Sequence, residues 1–200
     1  MGDKLDVIVC GIGGQGIVLA NRIVSQVLFG LGIDVKSTDI IGIGQRGGAV
    51  ISHIRAGDRV LSPLIKKKSA DIMIAFERYE ALRWADYLHD DGIMIINDHS
   101  ILPNSIEMRL QEDIDYGNMF DELKCRKFVV NTDSILKKNR IGNKYANICL
   151  LGVFSNCTNA NESLWMKAIE HIVGLHSLKK NLEAFCEGRR VGHILKVRGV

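Results

Sequence analysis

Proline is almost missing from this chain, two in 200 residues, and aromatic residues account for only 6% of it. That excludes a proline-rich tail, and it leaves too few rings for an aromatic binding platform. Long hydrophobic runs are missing too. No apolar stretch approaches the ~18 residues that a membrane-crossing helix needs. The five cysteines, at 10, 125, 149, 157 and 186, contain no Cys-x-x-Cys pair. Neither a zinc ribbon nor an iron–sulfur cluster can therefore be read from them. No excess of one charge stands out either: the formal net charge is +3 and the Lys and Arg are scattered. Nucleic acid is not an expected partner. The one dense basic run, Lys66-Lys67-Lys68, lies between apolar stretches and reads as a solvated loop. The start, Met1-Gly2-Asp3-Lys4-Leu5-Asp6, is polar, so no secretory signal is expected and the location read from the sequence is cytoplasmic.

What is present is a soluble composition, 46% hydrophobic and 24% charged, long enough for a sizeable core. Val7-Ile8-Val9-Cys10 runs into Gly11-Ile12-Gly13-Gly14-Gln15-Gly16, and a mostly apolar helical pattern follows from Ile17 to Phe29. This is the strand–turn–helix opening of a Rossmann-like α/β domain, with backbone amides and a helix N-terminus aimed at one point. Asp34–Asp39 reads as a second strand and Ala49–Arg55 as a third. Gly57-Asp58 predicts a hairpin from that third strand into Val60-Leu61.

Alternation resumes with a strand at Ala70–Phe76, a helix at Glu77–Leu88 with Leu82, Ala85 and Leu88 inward, and a strand at Ile93–Asn97. Residues 98–112 carry little pattern. A short helix at Asp113–Leu123, a strand at Phe128–Val130 and a helix capped by Thr132-Asp133-Ser134 follow. Lys144–Phe154 reads as a buried helix, Asn161-Glu162-Ser163 opens another, and a last one covers roughly Leu178–Gly188. The fold class expected is α/β, with a mostly parallel sheet flanked by helices, an antiparallel hairpin excursion and a helical C-terminal part from about 143 to 190. Residues 1–200 are read as a single domain.

The glycine turn satisfies Gly-x-Gly-x-x-Gly at Gly11, Gly13 and Gly16. A dinucleotide would further require an acid on the second strand to hold a ribose, and Asp39 lies at only roughly the right distance. A turn that binds another anion, or only packs tightly, fits the residues as well. A second glycine segment, Gly44-Gln45-Arg46-Gly47-Gly48, is expected beside the first, where foreign backbone or an anion comes close. No Gly-x-Ser-x-Gly elbow, His-Glu-x-x-His or Walker lysine occurs, and no catalytic residue or metal ligand is assigned. His53 reads as a sheet-face residue, Asp98-His99 as a weak candidate lacking a nucleophile, and Trp165 and Phe185 as core.

The two glycine segments, with Gln45-Arg46-Gly47-Gly48-Ala49-Val50-Ile51-Ser52-His53-Ile54-Arg55, resemble the gamma domain of 2-oxoacid:ferredoxin oxidoreductases. Ser62-Pro63-Leu64-Ile65, Ala70-Asp71-Ile72, Ala75-Phe76-Glu77 and Asn181-Leu182-Glu183-Ala184-Phe185 extend the resemblance over essentially the whole chain. Gln45-Arg46-Gly47-Gly48, Ser62-Pro63-Leu64-Ile65 and Ala75-Phe76-Glu77 are most similar to the indolepyruvate branch of that family. The resemblance implies a subunit of a complex that oxidatively decarboxylates aryl pyruvates to acyl-CoA and passes electrons to ferredoxin. It implies that thiamine diphosphate, magnesium and iron–sulfur clusters reside on a larger partner subunit and that the isolated chain is inactive. Gly11, Gly13, Gly14, Gln15, Gly16, Gln45, Arg46, Gly47 and Gly48 then become contacts to that partner or to coenzyme A phosphates. A free-standing NAD(P)- or FAD-binding reductase and a ligand-free scaffold are the alternatives.

Overall fold

The structure is a computed structural model, and it describes residues 4–42, 48–100 and 116–197. The first strand, β1 (Leu5–Ile12), sends Val7 and Val9 to one face and Ile8 and Cys10 to the other, all four fully buried. Only a strand covered on both faces can be apolar at every position, so β1 lies in the interior of the sheet. The other strands are β2 (Asp34–Ile41), β3 (Ala49–Gly57), β4 (Ala70–Ala75), β5 (Leu88–Asn97) and β6 (Arg126–Val130). Their order is β2–β3–β1–β4–β5–β6. Pairing is antiparallel for β2/β3 and β3/β1 and parallel from β1 through β6. Among the described strands, five thus point one way and β3 alone is reversed.

The antiparallel excursion exists, but not where Gly57-Asp58 suggests. β3 folds back on β2 rather than turning into Val60-Leu61, which form no strand. The Val60 N–H is taken by the Asp34 carboxylate at 2.8 Å, and Arg55 holds the carbonyls of Ser62 and Leu64. Side chains, not a ladder, tie that segment down.

Helix α1 (Ile17–Gly30) follows the glycine turn as expected. The reading of Glu77–Leu88 as one helix is corrected: α2 spans Arg78–Trp84, a 3₁₀ turn covers Ala85–Tyr87, and Leu88 already belongs to β5. The Glu77 carboxylate caps α2 by accepting the Glu80 N–H at 2.9 Å, and Asp90-Asp91-Gly92 are absorbed into β5 at a register shift opposite Ala70 and Ile72. The buried residues of α2 are Tyr79, Glu80 and Ala81. Glu80 tolerates burial because its carboxylate accepts hydrogen bonds from Arg83 Nε and Trp84 Nε1, each at 2.9 Å.

Of the weakly patterned stretch 98–112, all beyond 100 lies outside the described residues. α3 is Tyr116–Glu122, and α4 (Thr132–Lys138) is capped by Asn131, one residue before the Thr-Asp-Ser expected to do so. α5 (Ala146–Phe154), α6 (Glu162–Ile172, capped by Asn161) and α7 (Leu175–Val197) complete the chain. Among the described residues, no helix is long and apolar enough to cross a membrane.

The larger core lies between one sheet face and α1, α5, α6 and α7. Trp165 stacks on Phe185 at 5.6 Å and meets Phe154 edge-on at 5.8 Å, so both residues are core as expected. α5 is buried from Asn147 to Phe154 and is apolar nearly all round. The smaller core, on the other face, contains Ile8, Met73, Met94 and Ala81 and is closed by Ile65.

His53 sits on that second face. Its Nδ1 accepts the Ile65 N–H at 3.1 Å, and its ring meets Tyr87 edge-on at 5.3 Å. Burial pushes its pKa below the ordinary value. An unfolded chain takes up this proton below about pH 6.5 and the folded chain resists it. The stability involved is complete above that pH and is lost as pH falls toward the folded value. The urea midpoint should therefore drop from about pH 7.5 to about 5.5, and His53→Gln should flatten that dependence. An unchanged slope in the variant would assign the acid sensitivity to other groups.

Candidate functional site

The carboxyl ends of β1, β4, β5 and β6 converge on a cavity of about 280 Å³. Gly14 and Gln15 follow β1, Phe76 follows β4, Asn97 and His99 close β5, and Asp133 follows β6. Open α/β sheets place ligands at this end, where helices begin and their amides are unpaired. The glycine turn builds one wall. Gly14 and Gly16 adopt φ of 97° and 84°, a region glycine enters without strain. Gln15 bends back so that its Oε1 accepts the Ile12 N–H at 2.8 Å, which commits that side chain to the turn itself. Gly16 is the N-cap of α1 and offers no side-chain cap, leaving the first amides of α1 to a ligand, a partner or water.

A second helix start faces the first. Lys144 and Asn147 line the cavity at the beginning of α5, and Asn147 lies so close that a Cβ on Gly16 would overlap its amide nitrogen. Lys144 is exposed, with its ammonium 5.1 Å from the Tyr145 ring centroid. The wall from β5 is rigid: Asn97 accepts from Thr132 Oγ1 at 2.7 Å and donates to the Phe76 carbonyl at 3.4 Å. Beside it, Asp98 is bound by Arg78 and by Asn131, and His99 Nδ1 stands 4.0 Å from an Asp133 oxygen. Two helix N-termini, one lysine and one histidine give this cavity the chemistry of an anion cradle.

The described end of the second glycine segment, Gly48, lies against the first turn. Gly13 donates its N–H to the Gly48 carbonyl at 2.9 Å, and Gly42 donates to that of Ala49 at 2.8 Å. Gly44, Gln45, Arg46 and Gly47 fall outside the described residues. Asp39 is not placed for a ribose. It lies on β2, two strands from β1 and so about 10 Å away. Its Oδ1 accepts from Asn21 Nδ2 at 2.7 Å and from Ser52 Oγ. The antiparallel insertion of β3 between β1 and β2 is what displaces it.

Cys10, Cys125 and Cys149 are buried thiols, and Cys157 and Cys186 are half-buried. Burial first, then Glu80 and Glu77, push the Cys10 pKa well up, and burial with Glu187 pushes Cys149 up to about 12. Neither is a thiolate at neutral pH. Among the described residues no three His, Cys, Asp or Glu side chains gather as a metal site. Sequence reasoning missed Asn97, Asp133, Lys144 and Asn147. Only the first two carried a signal, being at or just beyond strand ends.

A family profile described as pyruvate ferredoxin/flavodoxin oxidoreductase matches residues 6–191. The chain is 35% identical over 138 residues to the indolepyruvate oxidoreductase subunit IorB of Archaeoglobus fulgidus, covering 68% of each protein. It is 25% identical over 193 residues to the 2-oxoglutarate synthase subunit KorC of Methanothermobacter marburgensis, covering 94% of this chain and 96% of that one. Its fold matches the gamma subunit of a keto/oxoacid ferredoxin oxidoreductase from Geobacter sulfurreducens with a TM-score of 0.71 at 19% identity, over 95% of this chain and 99% of that chain. It also matches the 2-oxoglutarate:ferredoxin oxidoreductase of Magnetococcus marinus, solved with 2-oxoglutarate, coenzyme A and succinyl-CoA bound, with a TM-score of 0.74 at 18% identity. There it covers 96% of this chain but only 31% of that chain.

Proposed function

Because the chain belongs to the pyruvate ferredoxin/flavodoxin oxidoreductase family, we propose that it is the gamma-type subunit of a thiamine-dependent 2-oxoacid:ferredoxin oxidoreductase acting on indolepyruvate and related aryl pyruvates. The observation that carries this is the family match across nearly the full length, on a fold shared with a free-standing gamma subunit. The indolepyruvate branch is supported by the 35% identity to the Archaeoglobus subunit.

In this reading the chain completes a site rather than performing the redox step. Its cysteines are scattered and, at Cys10 and Cys149, protonated, a donor set that does not fit an iron–sulfur cluster. The clusters and thiamine diphosphate with its magnesium ion belong to a larger partner subunit, which delivers electrons to ferredoxin. What this chain's residues can do is hold an anion. The amides after Gly13 and Gly16, with Lys144, form a cradle suited to the phosphates of coenzyme A as cosubstrate, and the sequence motif assigns Arg46 to the same role.

Reconstitution of the two subunits, followed by viologen or ferredoxin reduction, tests this. Aryl pyruvates should be preferred over pyruvate and 2-oxoglutarate, and the isolated chain should show no turnover. Gly14→Val or Arg46→Ala should raise the apparent KM for coenzyme A by roughly tenfold, about 1.4 kcal/mol, with the complex still assembled. Unchanged KM values would remove coenzyme A from the glycine turn. A thermal shift of the isolated chain with NAD, NADP or FAD is the rival's signature. Ligand at 100 times its Kd adds about 2.7 kcal/mol, and such a shift would favour a dinucleotide reductase.

A further inference from the structure

Residues 58–69 leave β3 at the end of the sheet remote from the glycine turn and cross to β4. The segment has no regular secondary structure, yet its backbone is held at four points by side chains from the sheet or from within the segment. Asp34 accepts the Val60 N–H at 2.8 Å, His53 accepts the Ile65 N–H at 3.1 Å, and Ser62 Oγ accepts the Leu64 N–H at 3.3 Å. Arg55 Nη1 donates to the carbonyls of Ser62 and Leu64, while its Nε is anchored 2.9 Å from the buried Asp6. Ile65, 4% exposed, is driven into the smaller core as a peg.

This anchoring leaves two leucines outside. Leu61 is 79% exposed and Leu64 54%. Isolated exposed leucines need no explanation, but a pair displayed by a loop whose backbone is held by Asp34, Arg55 and the buried His53 is different. Order that buries no apolar surface of the displayed residues is ordinarily a net cost in conformational entropy. The cost is recovered if the leucines enter a partner already in their bound conformation. The charge flanking the pair is mostly positive: Arg59, Lys66, Lys67 and Lys68 are exposed against the single acid of the segment, Asp58.

We propose that Leu61 and Leu64 are the anchors of a preorganised docking knob, and that their occupant is an apolar cleft with an acidic rim on the larger subunit of the complex. The inference rests on the subunit reading above. Charge decides between that partner and a second copy of this chain. A two-fold contact through the knob would bring Arg59 and Lys66 against their own copies, and like charges at a rim oppose association. An acid-rimmed cleft matches both the apolar centre and the cationic margin.

The test uses the reconstituted complex. Leu61→Ser/Leu64→Ser should leave the thermal midpoint of the isolated chain unchanged, because neither side chain is buried. It should weaken association with the purified larger subunit by at least tenfold. Arg59→Glu/Lys66→Glu should slow association and reduce its sensitivity to salt. Phe29→Ser, at an exposed position elsewhere, should do neither. Leucine variants that assemble as tightly as the wild type overturn the inference while the subunit reading stands. Sedimentation of the wild-type chain alone as a dimer that the leucine variants abolish overturns it in favour of self-association. A wild-type chain that binds no thiamine-bearing subunit overturns the subunit reading and this inference with it.

Discussion

Gly188→Val will strongly destabilise the protein, although position 188 lies on a helix far from the glycine turn in sequence. In α7, a Cβ at this residue would overlap the carbonyl oxygen of Cys149 in α5 and stand 2.7 Å from its carbonyl carbon. Those atoms are backbone, so no rotamer change can relieve the clash. The same close approach is repeated along the helix pair. A Cβ at Gly152 would lie 2.7 Å from the Arg189 nitrogen, and one at Gly192 would lie 2.7 Å from the Val153 carbonyl oxygen. Separating the helices would loosen Trp165, Phe154 and Phe185 together, since all three belong to the core that α5 and α7 enclose.

Overpacking of a tight core costs about 1–3 kcal/mol and more where the backbone must move. A loss of at least ~3 kcal/mol is expected here, or roughly 6–12 °C in Tm for a chain of this size. Gly142→Ala is the control: φ there is −73° and a Cβ meets nothing within 4 Å. It should be neutral or slightly stabilising, by up to about 1 kcal/mol. Denaturant melts of the two variants decide the matter, and a Gly188→Val chain as stable as the wild type would mean the helices are not packed this closely.

The same glycine shows why some of the fold was legible in the sequence and some was not. Local cues carried the opening unit. β-branched residues, a glycine turn and an apolar helical period agree with one another between Leu5 and Gly30, and tertiary packing has only to confirm them. At Gly188 the local cue pointed the wrong way. Glycine is a poor helix former, so the sequence pattern predicts an end there, but α7 runs on to Val197 because close contact with α5 outweighs the propensity. Gly57-Asp58 misleads in a similar manner. The dipeptide favours a hairpin, but Arg55 and Asp34 capture the following backbone first. For the site, the glycine turn was visible as a motif, whereas Asn147 is brought to it by the packing of α5, which no spacing in the sequence encodes.

Gly16→Ala is expected to separate stability from function at the cavity. Two costs fall on the substitution. Alanine must adopt φ near 84°, worth roughly 1–2 kcal/mol, and its methyl group must displace the Asn147 amide from its present place. Asn147 is the far end of a side chain and can swing away, so the second cost is smaller than at Gly188. Its Oδ1, however, accepts the Ile148 N–H at 2.8 Å, and swinging away also breaks this contact at the start of α5. The prediction is therefore a double-mutant cycle. Asn147→Ala should recover part of the loss in Gly16→Ala, with a coupling of about 0.5–1.5 kcal/mol, while the φ penalty remains. In the reconstituted complex, Gly16→Ala should lower the coenzyme A-dependent rate at least tenfold under conditions where the chain is still folded. The displaced amide would occupy the space between the two helix N-termini where the anion is proposed to bind. Strictly additive melts would show that Gly16 and Asn147 do not press on each other. An unchanged rate would show that the cavity between them is not where the anionic cosubstrate is held.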